Sequence, residues 1–281
     1  MDFYIDFEFL EGTQKNRFPL NLFVKETKPT IDLISIGVVS GKGETFYAVS
    51  KDFNIKEAWN RYQVVELVDH KSYYMIEEGK EYWIRENVLK PIFEQWKIEE
   101  NDKTYNSNDP SSIQNTLKFT YKNFKQCIKE IGKTKEEIQH DLSKFINDTI
   151  VSKSVSSLSE YTNPRFIGYY SDYDWVVFCW IFGKMNYLPS HFPQYCYDLK
   201  QELDRKVESL DWYINKHILS DKDSIYTIGV VENHEKDCKA NFNAKLSRIK
   251  ELKEYPKQIN EHNALSDAIW SKQLHEFIKL L

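Results

Sequence analysis

The stretch that decides the fold lies at the start of the chain, where residues 3–9 read FYIDFEF. Phenylalanine and isoleucine occupy its odd positions and would share one face of a β-strand. Asp6 and Glu8 occupy even positions, so both carboxylates would project from the opposite face. The segment therefore predicts a half-buried strand that presents an acidic pair.

Two more strands are predicted directly after it. Residues 31–39 (IDLISIGVV) are rich in β-branched side chains and predict a buried strand. Residues 41–44 (GKGE) predict a turn, and residues 45–50 suit the second arm of a hairpin. The first fifty residues thus predict three neighbouring strands.

The region over residues 55–162 is predicted to be a mainly helical insertion. Its helical pattern is clearest over residues 81–96, where Pro91 should kink or divide the helix. Turn-forming residues predict a loop over 101–112. Thr134 and Glu137 match a capping box, so a helix should start there and run toward residue 150. The other predicted elements are a strand over 165–170, a helix over 174–182, a helix over 210–218, a strand over 224–231 and a helix over 264–280.

The bulk properties narrow the class of protein. A chain of 281 residues with 15% aromatic residues has ample material for a core, and we expect one elaborated domain over residues 1–281. The formal net charge of -5 argues against a broadly basic surface that holds long nucleic acid, because such affinity comes mostly from neutralised phosphates. An enzyme that binds only one end of a strand is still compatible with that charge.

Cysteine spacing and hydropathy predict a cytoplasmic protein with no membrane partner. The four cysteines are widely spaced and form no C-x-x-C, which is typical of reduced thiols. The N-terminus lacks the basic flank of a signal peptide. The longest strongly apolar run, residues 175–182, is too short to span a bilayer.

Two later segments carry further candidates for a functional site. Asp174 lies in GYYSDYDW at the start of a predicted helix, and His262 and Asp267 lie in HNALSDA before and inside the last one. Mg²⁺ and Mn²⁺ prefer oxygen ligands, so four carboxylates suit two such ions. An imidazole suits a general base near neutral pH. With Asp6 and Glu8, this set predicts two-metal hydrolysis of a phosphodiester.

Each segment alone also fits an ordinary structural role. Asp6 and Glu8 could be the exposed face of an edge strand. Asp174 could be a helix N-cap, with Asp172 competing for any functional role, and the HNALSDA segment could be a solvated helix start. The catalytic interpretation rests on their joint occurrence in this order.

The segments DFE, YDW and HNALSD resemble the three motifs of DEDDh-superfamily exonucleases. The similarity is greatest to the RNase AS-like branch of 3′–5′ exoribonucleases. It is carried by DFEFLEG, TIDLISIGVVSGKGETFYAVS and YDWVVFCWIFGKMNYLP. The resemblance covers roughly residues 1–54, 165–204 and 258–280.

This resemblance implies an α/β, RNase H-like fold with a mixed five-stranded sheet flanked by helices. It implies two divalent ions, Mg²⁺ or Mn²⁺, a homodimer, and an RNA or short-oligonucleotide 3′ end as substrate. It assigns the general base to His262. The family pattern favours Asp174 over Asp172 and assigns the metal ligands to Asp6, Glu8, Asp174 and Asp267. Phe9 and Leu10 would contact the terminal nucleotide, although strand parity fits Phe9 equally well to core packing.

The chain exceeds the family pattern at residues 55–162 and in a second elaboration over residues 205–257. The second is rich in lysine and arginine and predicts either a phosphate-binding surface or a solvated helix face. The main expectation is a 3′–5′ exonuclease that releases nucleoside 5′-monophosphates. Two alternatives stay open: a phosphodiesterase for dinucleotides or nucleotide signals, and a catalytically silent RNase H-like binding module.

Overall fold

A five-stranded mixed sheet lies at the centre of the computed structural model, which describes residues 1–14, 28–68, 76–105, 117–151, 163–217 and 234–281. The strands are β1 (Asp2–Gln14), β2 (Lys28–Ser40), β3 (Thr45–Val49), β4 (Gln63–Val68), β5 (Ile76–Glu81), β6 (Arg165–Gly168) and β7 (Tyr197–Asp198). Their order in the sheet is β3-β2-β1-β6-β7, with β1 antiparallel to β2 and parallel to β6. Strands β4 and β5 form a separate antiparallel hairpin.

Helices flank this sheet on both faces. They are α1 (Ile55–Asn60), α2 (Lys90–Tyr105), α3 (Tyr121–Ile131), α4 (Lys135–Val151), α5 (Asp172–Ile181), α6 (Leu199–His217), α7 (His234–Lys250) and α8 (Ala264–Ile278). A π-helical turn over Arg85–Leu89 precedes α2, and a 3-10 turn covers Met185–Tyr187. The protein is therefore α/β, with helices packed around a mixed sheet.

The alternation of residues along β1 assigns each side chain to one face of the sheet. Phe3 and Ile5 are buried among side chains of α4 and α5, including Leu142. Tyr4 is buried on the other face, in the cluster that contains Leu274 of α8. The two acidic residues of β1 have the parity of Tyr4 and therefore lie on the α8 side.

A third apolar cluster supports the far half of β1. The β1–β2 register shifts between Glu8 and Phe9, which marks a bulge in the strand pair. Beyond that shift Leu10 is buried with Ile34 and with side chains of α1, α2 and α3. The bulge thus separates the acidic pair from the part of β1 that supports the helices after β3.

Most elements predicted from the sequence are present. The first fifty residues form three neighbouring strands, and Gly43 has the positive φ (100°) that the predicted hairpin turn favours. The capping box at the start of α4 is confirmed, since the Thr134 amide donates to Glu137 (2.6 Å) and the Glu137 amide donates to the Thr134 hydroxyl (3.2 Å). Helix α5 ends before Gly183, whose φ is 95°.

The prediction of a loop over residues 101–112 is wrong for its first part. Helix α2 continues through Tyr105, because extending a formed helix avoids the cost of nucleation. The remainder of that loop, residues 106–112, lies outside the described residues, as does the predicted strand over 224–231. Pro91 lies next to the change from π to α geometry at Lys90, where the chain accommodates a residue without a backbone donor.

Candidate metal centre

Three carboxylates from opposite ends of the chain meet on the α8 side of the sheet. Asp6 and Glu8 of β1 and Asp267 of α8 each offer an oxygen atom, and these atoms lie within 4.8 Å of one another. Strand alternation accounts for the first two, and the first turn of α8 supplies the third. Carboxylate oxygens are the ligands that hard divalent cations prefer, so the cluster has the chemistry of a metal site.

Helix α8 approaches the acidic pair closely because β2 carries a glycine opposite Asp6. Gly37 pairs with Asp6 in the sheet, and a Cβ added there would lie 2.2 Å from the Ala264 carbonyl oxygen. The missing side chain therefore lets the start of α8 rest on the sheet. Asn263 caps the helix by accepting a hydrogen bond from the Ser266 amide (3.1 Å).

Two hydrogen bonds orient Asp267, which is only 6% exposed. The Gln258 side-chain amide donates to Oδ1 (2.6 Å), and the His262 backbone amide donates to Oδ2 (2.8 Å). Gln258 was not predicted as a site residue. It reaches Asp267 because the segment before α8 folds back on the first turn of the helix, and no local pattern signals that path.

Asp174 lies beside this cluster but is not one of the three residues whose oxygens lie within 4.8 Å. It is buried (6% exposed) in the first turn of α5, while Asp172 in the same turn is exposed. The Phe7 backbone, between the two acids of β1, is hydrogen-bonded to the Asp174 carboxyl. Asp174 therefore faces β1, and Asp172 faces solvent.

Burial raises the pKa of Asp6, Glu8, Asp174 and Asp267, and neighbouring acidic side chains raise it further. Burial comes first in each case; the charge of Asp174 then adds most to the raised pKa of Asp6, and the charge of Asp267 adds most to that of Glu8, whose pKa is about 8. The pKa of Asp174 is also raised to about 8, and that of Asp267 is raised. A cation that replaced the protons would stabilise such a group of acids, because it would compensate the negative charges that burial disfavours.

A fourth aspartate near the cluster was missed in the sequence. The charge of Asp198 is the largest like-charge contribution to the raised pKa of Asp174, after burial. Asp198 ends β7 and accepts hydrogen bonds from the backbone amides of Lys200 (2.6 Å) and Ser171 (3.2 Å). Its position directly before α6 is that of an N-cap, which is a signal the sequence does carry.

His262 adopts a left-handed backbone conformation, with φ of 66°. This region is uncommon for residues other than glycine, and the bond from the His262 amide to Asp267 helps to hold it. The half-buried imidazole packs edge-to-face against Trp83, with ring centroids 4.6 Å apart and planes at 70°. The predicted general base is thus fixed beside the carboxylates by its backbone and by its ring.

The two predicted nucleotide contacts occupy different environments. Leu10 is only 1% exposed in the apolar core, so almost none of its side chain is open to a substrate. Its contact with a nucleotide stays a prediction. Phe9 is half-buried and packs edge-to-face on Tyr173, with centroids 5.9 Å apart. Tyr173 is 50% exposed, so this ring pair reaches solvent next to Asp174.

Part of the lysine-rich segment borders the site. Lys250, Lys253 and Lys257 line a groove of about 830 Å³, together with Gln258, the residue that binds Asp267. The same groove contains the acidic Glu251 and Glu261 and several aromatic side chains. Its charge is therefore mixed, and both predictions for this segment stay open.

In comparisons with known proteins, no family model and no curated protein matched this chain. Within the described ranges, none of the helices is long and apolar enough to cross a membrane. The candidate function therefore follows from the side chains of the site and their surroundings.

Proposed function

We propose that this protein is a two-metal-dependent 3′–5′ exonuclease. It hydrolyses phosphodiester bonds of RNA or short oligonucleotides and releases nucleoside 5′-monophosphates. The observation that supports this most directly is the convergence of Asp6, Glu8 and Asp267, with buried Asp174 and the imidazole of His262 beside them. A bound cation would offset the cost of holding carboxylates from three distant segments in one cluster, a cost that protonation relieves in its absence.

The topology supports an RNase H-like fold as part of this proposal. The order β3-β2-β1-β6-β7, with three antiparallel strands followed by two parallel ones, is compatible with that arrangement. The acidic pair lies on the central strand of this sheet. Asp174 and Asp267 lie in the first turns of α5 and α8, which pack on opposite sides of that strand.

Oxygen ligands and raised pKa values support the proposal that this cluster binds divalent ions. Mg²⁺ or Mn²⁺ bound here would activate water and stabilise the charge on the departing 3′ oxygen. Asp6, Glu8 and Asp267 would hold these ions, with Asp174 contributing from its position opposite β1. His262 would accept a proton from the attacking water. The water oxygen would bond to phosphorus as the P–O3′ bond breaks.

A 3′-labelled RNA of twenty nucleotides, incubated with Mn²⁺, tests the activity directly. We expect release of labelled nucleoside 5′-monophosphate, and its loss in Asp6→Asn. Asp174→Asn should also be inactive, whereas Asp172→Asn, which changes an exposed acid in the same helical turn, should keep the wild-type rate. Intact RNA at high protein concentration, or full activity in Asp6→Asn, would reject the proposal.

Parallel assays separate the alternatives. Faster hydrolysis of dinucleotides than of twenty-nucleotide strands would favour the phosphodiesterase for nucleotide signals. RNA binding without metal-dependent products would favour a silent binding module.

We also propose a cytoplasmic location. The described cysteines Cys127, Cys179 and Cys196 are free thiols, which suits a reducing compartment.

A further inference from the structure

An aromatic strip with cationic partners lies on the hairpin and turn that follow α1. It consists of Tyr62, Lys80, Tyr82, Trp83 and Arg85, at the ends of β4 and β5 and in the π-helical turn. None of these residues belongs to the central sheet. We refer to these five residues as the aromatic strip.

Four members of the strip, Lys80, Tyr62, Tyr82 and Arg85, contact one another in a series. The rings of Tyr62 and Tyr82 lie 5.9 Å apart. Lys80 Nζ lies 4.3 Å from the centre of the Tyr62 ring, and the Arg85 guanidinium lies 3.8 Å from the centre of the Tyr82 ring. Arg85 also forms an ion pair with Glu86 (3.2 Å). The pair of tyrosine rings therefore has a cationic side chain at each end.

One end of the strip reaches the candidate general base. Trp83 follows Tyr82 in the chain, and its ring packs against His262 at 4.6 Å. Trp83 is 37% exposed and Tyr62 is 46% exposed, so both keep ring surface open to solvent. The Trp83 end of the strip therefore lies next to the histidine whose amide binds Asp267.

Exposed rings combined with cations are the surface on which single-stranded nucleic acids bind, because bases stack on aromatic faces while lysine and arginine contact phosphates. The same contacts could serve only to stabilise the hairpin. Stability alone, however, would not require a large indole to remain partly exposed against a polar histidine. Lys80 and Arg85 are the two cationic side chains of the strip, and Glu81 and Glu86 follow them directly in the sequence.

We propose that the aromatic strip binds single-stranded nucleic acid and directs its 3′ end to the carboxylate cluster. Bases upstream of the scissile bond stack on Trp83, Tyr82 and Tyr62, and Lys80 and Arg85 contact the phosphates between them. The direction of the strand rests on the proposed exonuclease function, whereas the binding does not. The preferred substrate is then a strand longer than a dinucleotide.

Binding is measured first without divalent metal, by fluorescence anisotropy of labelled oligo(U) and oligo(dT) of twenty nucleotides in EDTA, with a labelled uridine dinucleotide alongside. We expect the long strands to bind more tightly than the dinucleotide, and Tyr62→Ala or Tyr82→Ala to weaken binding about tenfold per lost ring. Lys80→Gln should reduce the salt dependence of binding, because one phosphate contact is lost.

Tyr187→Ala provides the matched control. Tyr187 is 64% exposed and lies under Lys184 at 5.4 Å, so it is also a tyrosine with a cationic partner, but it lies outside the strip. This variant should bind like the wild type. Equal binding by the wild type, Tyr62→Ala and Tyr82→Ala would overturn the proposal, as would an equal loss in Tyr187→Ala. Binding of both RNA and DNA indicates stacking that tolerates either sugar; binding of RNA alone assigns RNA as the partner.

Kinetics separate this proposal from the exonuclease itself. Tyr62→Ala and Tyr82→Ala should raise KM for long strands, with kcat for long strands and hydrolysis of dinucleotides unchanged. Trp83→Ala should also lower kcat through His262, and Trp83→Phe should restore it if Trp83 acts as a positioning residue. Binding that depends on the strip without any hydrolysis would reject only the exonuclease; hydrolysis that is indifferent to the strip variants would reject only the strip.

Discussion

Replacing Glu8 by glutamine should stabilise the metal-free protein at neutral pH. The Glu8 side chain is held among Asp6, Asp174 and Asp267, and its pKa rises from 4.5 to about 8 because of burial first and then the charges of Asp267 and Asp174. Glutamine keeps the shape of the side chain and removes the charge. The variant therefore tests whether the cluster is strained when no cation is bound.

The sign follows from proton linkage. Because the folded protein holds the Glu8 proton up to higher pH than the unfolded chain, its free energy of unfolding falls as pH rises between about 4.5 and 8. The slope is about 1.4 kcal/mol per pH unit, so the destabilisation reaches about 3 kcal/mol near pH 7. Below the unfolded pKa both states are protonated, and glutamine should bring no such gain.

Urea denaturation in EDTA at about pH 4 and about pH 7 measures this difference. We expect equal stability of Glu8→Gln and wild type at the lower pH and a gain of about 3 kcal/mol for the variant at the higher pH. Glu208→Gln, which changes an exposed glutamate on α6, should alter stability by no more than about 0.5 kcal/mol at either pH. A variant less stable than wild type at pH 7, or the same difference at both values, would refute the reasoning.

Mn²⁺ should remove most of the stability advantage of Glu8→Gln at about pH 7. At about a hundred times its dissociation constant, a bound ion adds about 2.7 kcal/mol, and wild type should gain more than Glu8→Gln because the variant has lost a ligand. A thermal shift that is equal in both proteins would indicate that Glu8 takes no part in binding the ion.

Three further predictions concern the packing of α8, the candidate base and a buried hydrogen bond. Gly37→Ala should lower the free energy of unfolding by about 3 kcal/mol in urea denaturation and weaken Mn²⁺ binding in calorimetry, because its Cβ meets the backbone at the start of α8. The control Gly41→Ala, whose added Cβ has its nearest neighbour at 3.6 Å, should change neither quantity. His262→Asn keeps a residue that tolerates positive φ, so Mn²⁺ affinity should persist while kcat falls about 10²- to 10⁴-fold. Tyr4→Phe removes the 2.8 Å hydrogen bond to buried His275 and should lower the free energy of unfolding by about 1–3 kcal/mol.

The elements predicted with most success are those with strong local signals. Alternation identified the acidic strand, and the capping box located the start of α4 at Lys135, where the structure has it. The end of α2 was predicted poorly, since the turn-forming residues 101–105 extend an existing helix. The β4–β5 hairpin was missed because it lies inside a region whose overall pattern is helical.

The candidate metal ligands could be predicted because a carboxylate side chain is recognisable as a possible ligand in the sequence. Asp6, Glu8 and Asp267 were expected in one cluster, and the structure brings their oxygens together. Their supporting residues were not expected: Gln258 and Trp83 are polar and aromatic residues like many others in the chain. Their contacts with Asp267 and His262 depend on how distant segments fold back.

Local chemistry was enough to determine that β1 carries two carboxylates on one face, since a strand places every second side chain on the same side. It also predicted the start of α8 at residue 264 and the start of α5 to within two residues, through their helical patterns. The convergence of these elements was decided by tertiary contacts: Gly37 leaves room for α8 beside Asp6, and Trp83 holds His262 from a separate hairpin. Burial then raised the pKa of the clustered acids, and like charges from distant parts of the chain raised it further, so both effects depend on the tertiary structure.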